Sequence, residues 1–331
     1  MMPRDMTARV LPLALAIALL APATTLAQGP APAPAPAPAV TGSIDIVAER
    51  VGPTATVLVG TRVRLRGVVR PYVAGQTVTV RILQSGRKVL VKEKQILKSA
   101  SGASGTFLLG YAPREAGTLR IKASHLTTPQ MSSAVSRQVK VDVLPRALPQ
   151  GASGRKVRIL QERLEALGYV VGEPGSYDGR TTRAVLAFRK QTGMTRIASA
   201  DRPFFKALAR GAGAFKVRFP SHGRHIEGDL THQTLALIGE GGKVQRIYPM
   251  SSGKPSTPTV LGTYRIYRKD YGTNALGMVD ASYFHNGYAI HGYAQVPIYP
   301  ASHGCLRVPV PDARSISDWG RHGTIVDVYY R

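Results

Sequence analysis

His291-Gly292-Tyr293-Ala294-Gln295-Val296-Pro297-Ile298-Tyr299-Pro300-Ala301-Ser302-His303-Gly304-Cys305-Leu306-Arg307 is the stretch on which the reading of this 331-residue chain turns. Cys305 is the only cysteine, and His291 lies 14 residues before it. One cysteine makes no intrachain disulfide and no four-thiolate zinc site. A lone cysteine is ordinarily a buried, inert thiol. Here Pro300, Ser302 and Gly304 make its surroundings loop-like, and two His-Gly pairs precede it within 14 residues. A thiol attacks only as thiolate, and an adjacent imidazole supplies that state by taking the proton. Glycine before the nucleophile permits a tight turn that aims consecutive N–H groups at an oxyanion. Arg307 adds a fixed cation able to pair a carboxylate. Zinc held by Cys305, His291 and His303 lacks a fourth ligand, so no metal is expected. Spacing alone does not choose between His291 and His303 as base.

Working outward, residues 215–331 read as mostly β. Gln233–Gly239 and Lys243–Ser251 flank a Gly241-Gly242 turn, and Gly262–Tyr267, Ala289–His291 and Thr324–Tyr329 are further strands. Asp312–Gly320 is a short helix. Residues 150–212 switch to helical periodicity. Val157, Leu160, Leu164 and Leu167 share one face ending at Gly168. Thr181 or Thr182 is expected to cap a second helix, and Asp201 with Pro203 opens a third. These make a small three-helix bundle. Residues 42–145 alternate with period 2 at Thr61–Val69, Gln76–Leu83, Arg87–Gln95, Thr106–Tyr111, Thr118–Ser124 and Ser136–Val143. Such spacing predicts an all-β, immunoglobulin-like sandwich. The whole is a multidomain chain.

The first 27 residues carry Arg4 and Arg9, an apolar run Leu11–Leu20, and small residues at Thr25 and Ala27, the pattern of a secretory signal peptide. No stable membrane span is expected after cleavage. Residues 28–41 alternate Pro and Ala, an extended spacer.

The bundle run Val157-x-x-Leu160-Gln161-x-x-Leu164-x-x-Leu167-Gly168-Tyr169, then Asp178-Gly179-x-Thr181-x-x-Ala184-Val185-x-x-Phe188, resembles the three-helix peptidoglycan-binding domain. His291-Gly292 and Ser302-His303-Gly304-Cys305-Leu306-Arg307, with Ser252-Gly253-Lys254-Pro255 and Gly262-Thr263-Tyr264 upstream, resemble the L,D-transpeptidase catalytic domain over 215–331. The resemblance implies a cofactor-free cysteine acyltransferase acting on peptidoglycan stem peptides and glycan. Cys305 would attack the bond between the diamino acid and a terminal D-Ala of a tetrapeptide stem. An amine of another stem would resolve the thioester into a cross-link, or water would make the reaction an L,D-carboxypeptidase. It also implies His291 as base, the Gly292 carbonyl as its orienter, His303 and Ser302 in support, and the N–H groups of Gly304 and Cys305 as oxyanion hole. Arg307, Tyr283, Phe284 and Met278 are candidates for binding substrate. His222, His225 and His232 read as satisfied or solvated histidines, and Trp319 as a packing anchor. The competing reading is a non-catalytic wall-binding protein with a degenerate enzyme domain.

The net charge of +25 first suggests nucleic acid. An exported chain with 7% aromatic residues argues against that. The charge divides as +12 over 40–149, +7 over 150–214 and +5 over 215–331. Stem carboxylates or anionic wall polymers in the periplasm or cell wall fit such a distribution.

Overall fold

A computed structural model describes residues 40–331 apart from Pro53. The expected leader at 1–27 and nearly all of the expected spacer at 28–41 lie outside the described residues.

The first segment holds β1 (Ser43–Glu49), β2 (Thr56–Leu58), β3 (Val63–Arg70), β4 (Thr77–Gln84), β5 (Arg87–Gln95), β6 (Leu97–Lys98), β7 (Gly105–Tyr111), β8 (Gly117–His125), β9 (Ala134–Val135) and β10 (Val139–Leu144). One sheet runs β1-β3-β7-β6 and the other β2-β10-β8-β4-β5, with β9 against β8. The alternation in sequence is the cause. In β3, Val63, Leu65 and Val69 point inward while Arg64, Arg66 and Arg70 face water. Inward residues of both sheets, among them Leu65, Val80, Phe107 and Ile121, form one core. The six alternating runs each match a strand. Strands β2, β6 and β9 are too short to carry a period, and exposed Val47 breaks the period of β1.

The second segment holds α1 (Arg155–Glu165), α2 (Gly179–Gln191) and α3 (Arg202–Ala209). Val157, Leu160 and Leu164 are buried on α1 as their spacing requires. The cap of α2 is Asp178, not Thr181 or Thr182: its carboxylate accepts from the Thr181 N–H at 2.8 Å. Thr181 sits one turn inside, where its buried hydroxyl accepts from Gln161 Nε2 at 3.0 Å. Asp201 caps α3 through the Phe204 N–H at 3.0 Å, with Pro203 in the first turn.

The third segment holds β11 (His225–Asp229), β12 (Thr234–Ile238), β13 (Val244–Pro249), β14 (Gly262–Arg265), β15 (Arg268–Thr273), β16 (Val279–His285), β17 (Tyr288–Tyr293), β18 (Leu306–Pro309), α4 (Val310–Trp319) and β19 (Ile325–Tyr329). A five-stranded sheet, β13-β12-β11-β19-β14, and a four-stranded sheet, β15-β16-β17-β18, contribute to a common core with α4. The described residues thus contain four helices in a mostly-β chain. None is long and apolar enough to cross a membrane.

The helical segment is packed on both sides. Its core cluster takes in Leu58, Leu144 and Leu148 from the first segment and Ala236, Ile238 and Ile247 from the third. Lys190 of α2 is fully buried and donates to the carbonyls of Met250 at 2.8 Å and Gln233 at 3.2 Å. Burial, with the nearby Arg196 charge, lowers its pKa to about 7. Arg180 and Arg183 of α2 reach buried Asp312 of α4 at 3.0 and 3.1 Å.

That last contact is asymmetric, because Asp312 is 2% exposed while the two arginines are 38% and 24% exposed. Removing both arginines strands a buried carboxylate, whereas removing Asp312 leaves cations that water can reach. Arg180→Ala/Arg183→Ala should therefore destabilise the chain by about 3 kcal/mol, and Asp312→Ala by clearly less. Urea unfolding of the two variants reads the difference.

Candidate active site

The site is built where β17 and β18 run parallel, with Ile290 opposite Leu306 and His291 opposite Arg307. Carrying that register back one residue sets Cys305 beside Ala289. The side chains of Cys305 and His291 then share one face of the sheet, two positions apart along it.

The turn that presents Cys305 is held from inside. Ser302, 1% exposed, donates its hydroxyl to the Cys305 carbonyl at 2.6 Å and accepts from the Gly304 N–H at 3.0 Å. Gly304 has φ +121°, and a Cβ there would lie 2.3 Å from the Tyr288 ring. Only glycine fits this backbone. Behind the turn, the chain leaving β13 pairs with it. Ser251 and Arg307 exchange N–H···O bonds of 2.9 Å in both directions. The N–H groups of Ala301 and Ser302 both donate to the Ser252 carbonyl at 2.9 Å. Gln233 fixes Ser252 through its amide, at 2.9 Å to the backbone N–H and 2.7 Å to the hydroxyl.

His291 is 3% exposed, and its Nδ1 lies 2.9 Å from the Gly292 carbonyl. A carbonyl only accepts, so the proton is on Nδ1 and Nε2 is left as the basic nitrogen. Gly292 is also fixed by space: a Cβ would meet Ala313 of α4 at 2.7 Å. Burial pushes the His291 pKa below the ordinary imidazole value, and the Arg307 charge adds to that, against the Gly292 hydrogen bond. Burial pushes the Cys305 thiol up, opposed by a backbone hydrogen bond at Ala289 and by Arg307. Both groups are therefore neutral near pH 7. The Cys305 Sγ, 3.8 Å from the Gly287 carbonyl, is placed as a thiol donor.

The other candidates separate. Arg307 lies with its guanidinium 4.1 Å over the Tyr293 ring, which meets His291 edge to face. Met278 and Tyr283 belong to the small cluster against which Cys305 packs. The Tyr283 hydroxyl is already engaged by Asp270 at 2.9 Å, and Arg268 stacks on its ring. Phe284, on the opposite face of β16, is 3% exposed in the main core and offers no surface to a substrate. His303 is exposed, with Nε2 3.4 Å from Lys254 Nζ. The Gly304 N–H, expected to face an oxyanion beside that of Cys305, is engaged by Ser302 instead. His222, His225 and His232 each pair with a carboxylate, Asp327, Glu227 and Asp229 respectively. Trp319 packs in the core and donates to Gln245 at 2.8 Å.

Ser251 and Gln233 support the site without any signal in the sequence pointing to them. Gln233 stands 72 positions before Cys305 with no motif around it; Ser252 belongs to the Ser252-Gly253-Lys254-Pro255 signal.

Residues 223–328 match the L,D-transpeptidase catalytic domain, and residues 153–196 match a putative peptidoglycan binding domain. The crystal structure of an L,D-transpeptidase from Xylanimonas cellulosilytica is 32% identical, with a TM-score of 0.50, over 56% of this chain and 98% of that one. The chain belongs to the L,D-transpeptidase family. An L,D-transpeptidase from Stackebrandtia nassauensis is 22% identical over 56% of this chain and 95% of that one, with a TM-score of 0.36. Among curated proteins none matches significantly. This is therefore a peptidoglycan L,D-transpeptidase with a peptidoglycan-binding domain preceding the catalytic one.

Two outcomes follow for the transpeptidase site. Iodoacetamide should alkylate Cys305 more slowly at pH 7 than it alkylates a free cysteine peptide, with a pH inflection above the ordinary thiol value of ~8.5. Gly304→Ala should leave the fold intact by circular dichroism yet lower transpeptidation at least ~100-fold, because the turn must rebuild around Tyr288.

Proposed function

We propose that Cys305 is the nucleophile of the transpeptidation and His291 its base. The observation that carries this is the pairing of one cysteine, on a turn locked by Ser302, with a histidine whose Nδ1–H is fixed on the Gly292 carbonyl. Sγ attacks the carbonyl between the diamino acid and the terminal D-Ala as its proton passes to His291 Nε2. The tetrahedral oxyanion is met by the Cys305 N–H, with the Gly304 N–H joining it when Ser302 Oγ lets go. Collapse breaks the C–N bond, and the imidazolium gives its proton to the departing D-Ala amine. A thioester remains. An amine of a second stem then attacks the thioester carbon and loses a proton to Nε2; the C–S bond breaks, the Cys305 thiolate takes that proton back from the imidazolium, and a cross-link results. Starting from a neutral thiol and imidazole, the enzyme forms charge only when substrate is in place. Arg307 is suited to hold a stem carboxylate.

Residues 1–27 are a cleaved leader and 28–41 a spacer, so the mature enzyme works in the periplasm or cell wall. Residues 42–145 are an immunoglobulin-like module, 150–212 the wall-binding module and 215–331 the catalytic one. The two facing sheets of the first module and their single core support that reading.

Incubation with tetrapeptide-stem muropeptides tests the proposal. Wild type should release D-Ala and form dimers, and Cys305→Ala should do neither while remaining folded; dimer formation by that variant would refute it. His291→Ala should slow acylation at least ~100-fold, whereas His225→Ala should act only through stability. The acid limb of the wild-type kcat/KM profile should fall below pH ~6.5, since burial lowers the imidazole pKa.

A further inference from the structure

A groove that no step of the reaction uses runs across the junction between the first module and α1. Its main part, of about 1190 Å³, is lined by Arg87 and Lys88 at the start of β5, Arg114 in the β7–β8 loop, and Arg155 and Lys156 in the first turn of α1. Arg155 also lines an adjoining cleft of about 710 Å³ that adds Arg158. All six side chains are exposed, and none is within 4 Å of a carboxylate among the described residues. Only Glu115 and Glu162 line the two clefts as acids.

This concentration of free charge has an identifiable cause. Five of the ten acids over 40–214 are engaged in ion pairs or helix caps. Glu49 pairs with Arg64 and Arg66, Asp45 with Arg70, and Asp142 with Arg163. Asp178 and Asp201 cap helices. Six like charges left in one concavity repel one another, and the low-dielectric walls focus their field outward. The concavity exceeds the size of a drug-like pocket. It suits a polymer that carries anionic groups at intervals, with Tyr111 as an apolar wall for the units between them.

We propose that this groove binds uncross-linked peptidoglycan through its stem carboxylates, holding the insoluble polymer across two modules while the catalytic module works on a neighbouring stem. The identity of the polymer rests on the proposed peptidoglycan chemistry; the groove and its charge do not. A phosphodiester wall polymer offers anions of a different source, and the test separates the two.

The experiment uses the mature protein and pelleted, purified peptidoglycan. Three preparations are compared: untreated, stripped of phosphodiester polymers with hydrofluoric acid, and with stem carboxylates amidated. Wild type should bind the first two alike and the amidated one at least ~10-fold more weakly, with binding to the first two falling steeply as salt rises. Lys88→Glu/Arg155→Glu/Lys156→Glu should lose at least ~10-fold on untreated material and show a flatter salt dependence. Lys92→Glu/Lys98→Glu/Lys140→Glu, which makes the same charge change on exposed positions outside the groove, should lose less than ~3-fold. Should the groove triple variant fail to fold, Lys88→Gln/Lys156→Gln is read instead and should lose ~3-fold or more. Equal losses for groove and control variants would make the effect mere net charge and overturn the proposal. So would undiminished binding to amidated peptidoglycan, or loss of binding after acid stripping. Turnover of a soluble muropeptide by the groove variants should equal wild type; an inactive wild type in that assay would count against the proposed chemistry and leave the binding result readable.

Discussion

Ser251 and Arg307 hold each other through two backbone hydrogen bonds, and the catalytic end of the molecule depends on that pairing. It ties the chain leaving β13, in the five-stranded sheet, to β18, in the four-stranded one. The next residue, Ser252, collects the N–H groups of Ala301 and Ser302, and Ser302 in turn holds both ends of the Cys305 turn. A β-strand fixes the register of its neighbour to one residue. The β17–β18 ladder on the other side of Arg307 sets it opposite His291, which leaves Cys305 two positions back on the same face. Lys190 of the wall-binding module donates to the Met250 carbonyl, immediately before Ser251. A module that matches a putative peptidoglycan binding domain thus abuts the segment that positions Cys305.

Electrostatics in the site favour restraint. Burial raises the Cys305 pKa and lowers that of His291, so the neutral pair is the resting state. A free, exposed thiolate would be open to oxidation. A protonated thiol, partly buried against Met278, Tyr283 and Ala289, is better protected. Arg307 favours the thiolate and, by disfavouring the imidazolium, keeps the His291 ring unprotonated at rest. The groove charges sit elsewhere, between the first module and α1, so wall attraction and acyl transfer use different surfaces.

Much of this was legible in the chain. Period-2 runs found the longer strands of the first module because one face of each sheet is wet. The helices followed from apolar spacing and caps, except that Asp178 rather than a threonine caps α2. Strand β11 escaped because all five of its residues are buried, including His225, Glu227 and Asp229, so no alternation marks it. The Cys305 and His291 neighbourhood was visible from motif; spacing alone left His291 and His303 open, the family resemblance pointed to His291, and the folded chain gives that residue the Nδ1 contact while His303 is exposed. Phe284 looked like a groove residue because it adjoins Tyr283, and the pleat sends it to the opposite face. Gln233 was invisible because its role exists only once the chain folds it onto Ser252, 19 residues away. The Gly304 N–H looked free because a hydroxyl two residues away leaves no sequence trace of its direction.

The most direct measurement is intact-protein mass spectrometry of the mature enzyme mixed with a tetrapeptide-stem muropeptide and no acceptor amine, followed by peptide mapping. The account predicts an adduct equal to the stem minus D-Ala, confined to the peptide containing Cys305 and removed by hydroxylamine as a thioester. D-Ala release with no covalent adduct, or an adduct on any other residue, would contradict it.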